Sequence, residues 1–225
     1  YMKHLKKFNE IDAICKEYGI TNYTINQDGS VDVNEPVVLN DMGLRKLPLK
    51  FGKVTGSFEC EKNKLTSLRG SPKEVGGDFY CSFNQLITLE GAPIKVGDSF
   101  CCDNNQLVTL KGSPNSVGED FDCSNNNLIS LDGAPKEVDF FYCSNNNLIS
   151  LDGISISMSN GFSGINCSGN PISQVYRLFG SFKEYQDSLD YGYLRGTDIV
   201  KLRFKEALEE IGKRLPKKVP GYNYI

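Results

Sequence analysis

The sequence predicts a repeat solenoid, an elongated stack of short coils, on three observations. The first is a segment that recurs: FECEKNKLTSLRGSPKEVGGD from Phe58, FYCSFNQLITLEGAPIKVGDS from Phe79, FCCDNNQLVTLKGSPNSVGED from Phe100, FDCSNNNLISLDGAPKEVDF from Phe121 and FYCSNNNLISLDG from Phe141. The second is its fixed spacing of 21, 21, 21 and 20 residues, in the range that marks a stack whose units touch only their neighbours. The third is its internal order, in which alternating apolar positions are followed by an Asn, two leucines and a Gly-x-Pro break.

The first 36 residues read as a cap. Residues 3–18 place Leu5, Phe8, Ile11, Ile14 and Tyr18 on one face of an amphipathic helix. YTINQDGSVDV follows, with Asp28-Gly29 between two alternating runs, which is a hairpin signal. Together these are expected to cover the open edge of the first repeat.

The solenoid is expected over residues 37–172, with about seven units. Counting 21 residues upstream of Phe58 lands on Val37, Leu39, Met42 and Leu44, a degenerate first unit with Met in place of Asn. INCSGNPI places Ile165, Cys167, Asn170 and Ile172 on the same template, 24 residues after Phe141, so SISMSNGFSG carries a three-residue insertion. Within a unit F-x-C is a short strand of period two, with Phe and Cys pointing inward. The strands should be parallel, because each coil advances the same way. The column Asn63, Asn84, Asn105, Asn126, Asn146 and Asn170 offers carboxamides that donate and accept inside the turn. The return through Gly-x-Pro and VGGD is too short and too rich in Gly and Pro for a helix. The convex side should therefore be extended or polyproline-like. Residues 173–225 read as a helical cap: one helix over 173–189, and a second starting at Thr197 or Asp198. That second helix should bury Ile199, Leu202, Leu208 and Ile211 and stop at Pro216. The tail PGYNYI, with Tyr222 and Tyr224, either folds back or stands out as a docking peptide.

The core F-x-C-x-x-N-x-L is the leucine-rich-repeat pattern L-x-L-x-x-N-x-L with Phe and Cys replacing two leucines. The full unit, F-x-C-S-x-N-x-L-x-S-L-x-G-x-P-x-x-V-G-G-D, resembles the short leucine-rich repeats of tailed-phage and bacterial proteins. It is also similar in length and pattern to repeats of bacterial effectors. The ends are similar to the phage group as well: MKHLKKF, NQDGSVDV, KLPLKFGKV and DYGYLRGTDIVKLRFKEALEE. The resemblance covers nearly the whole chain. It implies a leucine-rich-repeat solenoid with a parallel sheet on its concave face, a mostly non-helical convex side and helical caps. It also implies protein binding, as by a phage product acting on a host protein. The ubiquitin-ligase domain of some effectors is not carried over, because no Cys lies beyond Cys167.

Charge and cysteine usage narrow the function classes. Residues 37–170 hold 11 Lys/Arg against 15 Asp/Glu, and residues 171–225 hold 10 against 7. No segment has the basic excess that a phosphate backbone demands, so nucleic acid is not expected as a partner. No apolar stretch is long enough for a membrane span, and the start does not read as a secretory leader. Six of the eight cysteines recur once per repeat at an inward position. They read as small buried hydrophobes. Their parallel Cβ vectors suit disulfides poorly, and a linear column does not converge on a metal. Reduced thiols point to the cytoplasm. Cys101 falls between Phe100 and Cys102 and is expected to face outward as an incidental exposed thiol.

No catalytic set, cofactor or metal site is expected. The single histidine is His4, which leaves nucleophile pairs without a base. The remaining candidate is a binding face about 30 Å long, made of residues beside the inward positions. It comprises Glu59, Asp78, Tyr80, Phe83, Cys101, Asp103, Asp120, Asp122, Phe140 and Tyr142. The column just after each Cys, with Ser82 and Ser124, is expected to face outward too. Exposed aromatics among carboxylates suit a protein partner with a basic segment, bound by a monomer. The alternatives are a virion or adhesion component stacking surface glycan on those aromatics, and a hydrolase using Asp120 and Asp122.

Overall fold

The structure, a computed structural model, describes residues 2–154 and 164–225. The insertion expected in SISMSNGFSG lies outside the described residues except for Gly164. Helix α1 (Met2–Glu17) opens the chain. It ends where Gly19 takes φ +65° and Ile20 N donates to Cys15 O at 2.8 Å, a left-handed helix stop. Its packed face is Ile11 and Cys15, both buried, with Ile14 and Tyr18 partly buried. Cys15 was not among the residues expected there, and the side chain of Leu5 lies outside the described residues. A hairpin follows, β1 (Tyr23–Ile25) against β2 (Val31–Val33), with Tyr23 opposite Val33.

From here the chain visits two sheets in turn. One has seven parallel strands: β3 (Val37–Val38), β5 (Phe58–Glu59), β7 (Phe79–Tyr80), β9 (Phe100–Cys101), β11 (Asp120–Asp122), β12 (Phe140–Tyr142) and β13 (Gly164–Asn166). The other contains β4 (Phe51–Val54), β6 (Glu74–Val75), β8 (Lys95–Val96) and β10 (Ser116–Val117), also parallel, joined through β2 to the hairpin. Register follows the sequence period: Val37 faces Phe58, Phe58 faces Phe79, Phe79 faces Phe100. The 24-residue step is absorbed too, because Phe141 faces Ile165.

Of the two conformations expected for the return, extended and polyproline-like, the structure has the extended one, and the returns pair into a second sheet. A return strand such as Lys95–Val96 is two residues long, one exposed and one buried. Such a strand has no pattern readable by itself and exists because the coil above offers the same two residues in register. The hairpin accordingly extends this second sheet rather than the edge strand β3.

Between the sheets lies one core. Phe58, Phe79, Phe100, Phe121 and Phe141 are fully buried and stacked, with centroids 5.1 to 5.5 Å apart. Each stacked pair contributes about 0.5–1.5 kcal/mol beyond its buried area. The Cys column and both Leu columns line the rest, nearly all at zero exposure. Close approach of the coils depends on Gly76, Gly97 and Gly118 after the return strands. A Cβ on Gly97 would collide with Gly76 O, a backbone atom with nowhere to move.

The Asn column does more than close its own turn. Asn126 Nδ2 donates to Cys123 O at 3.0 Å within its coil and to Cys102 O at 3.1 Å in the coil before. Its Oδ1 accepts from Leu107 N at 2.9 Å, also in the coil before. Asn84, Asn105, Asn146 and Asn170 repeat this pattern, and Asn63 reaches Leu39 O, Met42 N and Leu44 N. Each carboxamide thus binds two successive coils together.

The C-terminal segment departs from the sequence expectation in detail. The helix expected over 173–189 is two helices, α2 (Ser173–Tyr176) and α3 (Phe182–Leu189). The break is at Gly180-Ser181, where Ser181 caps α3 by accepting from Glu184 N at 3.1 Å. Thr197 and Asp198 do not start a helix. Strand β14 (Leu194–Arg195) pairs with β15 (Asp198–Ile199), and α4 runs Lys201–Glu210, ending before Pro216. Helix α4 buries Phe204, Ala207 and Leu208, while Leu202 is 67% exposed. At 3.6 residues per turn Leu202 lies roughly opposite Phe204 on the helix, so the buried face of Phe204 and Leu208 turns it outward. The tail folds back: β16 (Asn223–Tyr224) pairs in parallel with β15, and Tyr222 OH donates to Ile149 O at 2.7 Å. Among the described residues no helix is long and apolar enough to cross a membrane.

Candidate functional site

The seven-stranded sheet presents one continuous row of outward residues. Val38, Glu59, Tyr80, Cys101, Asp122, Tyr142 and Asn166 stand side by side in strand register. They alternate with the buried Phe and Cys columns because a strand turns successive side chains to opposite faces. A second row at the end nearest β13 holds Asp120, Phe140 and Gly164. Asp78 lies just before β7, and Asp103 lies just after β9.

The aromatic side chains of this face are divided. Tyr80 and Tyr142 are three strands apart, about 14 Å. Phe140 and Tyr142 stack, with centroids 4.8 Å apart and planes at 26°. Phe140 lies over β13 where Gly164 has no side chain; a Cβ there would meet its ring at 3.1 Å. Phe83 is on the turn rather than the strand, at φ +55° and 51% exposed. The equivalent positions are Lys62, Asn104, Asn125 and Asn145, all left-handed. Ser82 and Ser124, also expected to face outward, are buried because neighbouring side chains cover them: Ser82 Oγ donates to Asp103, and Ser124 Oγ accepts from Ser144 Oγ at 3.0 Å.

Among the described residues the carboxylates of this face meet neutral donors. Glu59 Oε2 accepts from Asn40 Nδ2 at 2.7 Å, Asp78 Oδ1 from Ser99 N at 3.0 Å, and Asp122 Oδ1 from Ser124 N at 2.8 Å. Asp103 accepts from Ser82 Oγ and Asn104 Nδ2. The ion pairs among the described residues all lie elsewhere: Lys16–Asp12, Lys50–Asp28, Lys53–Glu74, Lys111–Glu90, Lys183–Asp187 and Lys205–Glu209. Burial raises the Asp122 carboxyl above its ordinary value, against the hydrogen bonds from Ser124, and nearby Asp103 and Asp120 add to the rise. Asp120 is raised by burial and then by Asp139. Glu61 is raised by burial, Asp103 and Glu59.

Cys101 corrects its expectation. It is half-buried, and burial followed by Asp122 and Asp103 pushes its thiol up to about 12. It is a poor nucleophile there, since only the thiolate attacks. Among the described residues no three His, Cys, Asp or Glu side chains are grouped to hold a metal ion.

At the β13 end the face carries an open, shallow cavity of about 390 Å³. Phe140 and Tyr142 form one wall, Asn166 and Cys167 lie on the strand beside them and just after it, and Tyr176 and Arg177 come from α2 and the residue after it. Sequence reasoning placed Phe140 and Tyr142 but missed Tyr176 and Arg177. The available signal was their place six and seven residues beyond Asn170, whose hydrogen bonds to Cys143 O and Cys167 O pin the start of α2 to the end of the sheet. Comparison with protein-family models, with curated proteins and with solved structures returned no match for the chain.

Proposed function

We propose that the chain is a leucine-rich-repeat solenoid with capped ends that binds a partner protein on the outward face of its seven-stranded sheet, without chemistry of its own. The observation that carries this reading is the set Glu59, Asp78, Asp103, Asp120 and Asp122, carboxylates crowded on one face with no cation paired to any of them among the described residues. A basic segment of a partner would supply the missing counter-charge, and Tyr80, Phe83, Phe140 and Tyr142 would supply apolar contact. The repeat pattern supports the same reading, including a phage product acting on a host protein in the cytoplasm. The Phe140–Tyr142 stack favours one alternative, a glycan laid on the rings. A hydrolase built on Asp120 and Asp122 has less support, because Asp122 is tied to the Ser124 backbone.

The test is affinity capture from host lysate with the wild type and with Tyr80→Ala/Tyr142→Ala, alongside thermal unfolding of both. The expected result is a partner recovered by wild type alone, with the variant still folded and its unfolding temperature lowered by no more than the lost Phe140–Tyr142 stack accounts for. Equal recovery by both proteins would show that the face is not the binding surface.

A further inference from the structure

The cavity at the β13 end differs chemically from the rest of the face. Its walls are aromatic; Ser168 Oγ and Ser173 Oγ in its lining already donate to Asn166 Oδ1 and Asn170 O, while its other polar groups include donors without an acceptor among the described residues. Asn166 Oδ1 is occupied by Ser168, accepting from N at 3.1 Å and from Oγ at 2.8 Å, which leaves Nδ2 free among the described residues. Arg177 makes no ion pair there, and the hydroxyls of Tyr142 and Tyr176 donate to nothing among the described residues. A site of about 390 Å³ is within the range of small-ligand pockets and large enough for one apolar side chain with a polar head. Arg177 and Asn166 Nδ2 can only donate and so favour an acceptor head, and Arg177 favours an anionic one with two oxygens.

Immediately beside this donor-lined cavity the sign of the surface reverses. Asp122 is one strand from Tyr142, and Asp103 follows the strand beyond. An occupant that satisfies both regions carries a negative head next to an apolar group, followed by positive charge. The carboxyl terminus of a polypeptide has this arrangement when its last residue is apolar and basic residues precede it.

We propose that the cavity binds the carboxyl-terminal residue of a partner chain. Its α-carboxylate lies against Arg177 and Asn166 Nδ2, its apolar side chain lies against Phe140, Tyr142 and Tyr176, and basic residues upstream lie over Asp122 and Asp103. The spacing fits an extended chain. From Tyr142 the next two strands lie about 5 and 10 Å away. At about 3.3 Å per residue, the second and fourth residues before the terminus reach about 7 and 13 Å, and both point to the same side. An extended chain leading away from the cavity thus brings both within a lysine side chain's reach of those strands. This proposal rests on the protein-binding reading of the face and adds the polarity and chemistry of the segment bound.

The probe is a hexapeptide, fluorescein-labelled at its amino end, with phenylalanine last, lysines two and four residues before it and glycine elsewhere. Fluorescence anisotropy compares the free acid with the carboxyl-terminal amide, on wild type, Arg177→Gln and Asp103→Asn/Asp122→Asn. The free acid is expected to bind at least about tenfold more tightly than the amide, equivalent to ~1.4 kcal/mol. Arg177→Gln should abolish that preference while leaving the unfolding temperature unchanged, since the side chain is exposed. The Asp103/Asp122 double variant should weaken acid and amide equally. If acid and amide bind alike and only the aspartate variant weakens them, the face takes an internal basic segment. The terminal-residue proposal then fails while the protein-binding reading stands. If 3-phenylpropionate competes as strongly as the peptide itself, the cavity is a small-molecule site and the proposal also fails. Failure of the free acid to bind at millimolar concentration overturns it outright.

Discussion

Replacing Asn126 with aspartate separates the inter-coil clamp from every other contribution of that residue, because the two side chains have the same shape. Asn126 is 7% exposed and donates to Cys102 O, Cys123 O and Ser124 O at 3.0–3.1 Å, while accepting from Leu107 N at 2.9 Å. Aspartate keeps the acceptor and loses every donor. Its second oxygen then faces three carbonyls in a buried turn. Leaving a buried charge without a partner costs about 3–5 kcal/mol, and each orphaned carbonyl adds to that cost. Asn127 is the neighbouring exposed residue, and the same substitution there should cost no more than about 0.5 kcal/mol.

Urea unfolding followed by circular dichroism gives both values. The pH dependence adds a second signature. In the folded Asn126→Asp variant the new carboxyl favours its protonated form, because the neutral acid can donate to one carbonyl. Its pKa is therefore raised above the unfolded value. The penalty is complete above the folded pKa and diminishes as pH falls towards the ordinary carboxylate value of about 3.9. Equal losses from Asn126→Asp and Asn127→Asp at neutral pH would refute the clamp.

Two further outcomes follow from particular side chains. Phe83→Asn should raise stability by about 1 kcal/mol, since an aromatic residue is held at φ +55° where Asn104, Asn125 and Asn145 occupy the matching turns; a urea midpoint that falls instead would mean its ring packs against the stack. Asp122→Asn keeps the acceptor for Ser124 N and removes a carboxylate whose pKa burial raises. A raised folded pKa lowers stability above that pKa, so the variant should be more stable than wild type at pH 7. The difference should shrink as pH falls towards the ordinary value of 3.8, and a difference that grows on acidification would reverse the assignment.

Much of the stack was legible because each column in a repeat meets its own copy one period away. Phe79 touches Phe58 and Phe100, and Asn84 reaches back to Cys60 O, so the period of the sequence is also the register of the strands. The outward row from Val38 to Asn166 follows from the same period, which is why the face residues could be named in order. Phe83 is exposed as expected but stands on the turn beside that face rather than on a strand, because the strands are only two or three residues long and the turn begins early.

The repeat register, the buried Phe, Cys, Asn and Leu columns and the acidic outward row could all be read from the chain alone. These rest on contacts between equivalent residues at a constant separation along it. Three features came instead from packing in three dimensions. The returns pair into a second sheet, since a two-residue strand such as Lys95–Val96 is held by the coils on either side of it. The segment around Thr197 becomes strand instead of helix, because β15 is held by β14 on one side and by β16, some 25 residues later, on the other. The cavity joins Tyr142, Asn166 and Arg177, which no period relates, because the last turn of the stack is where the chain leaves the repeat and α2 folds against the sheet's end.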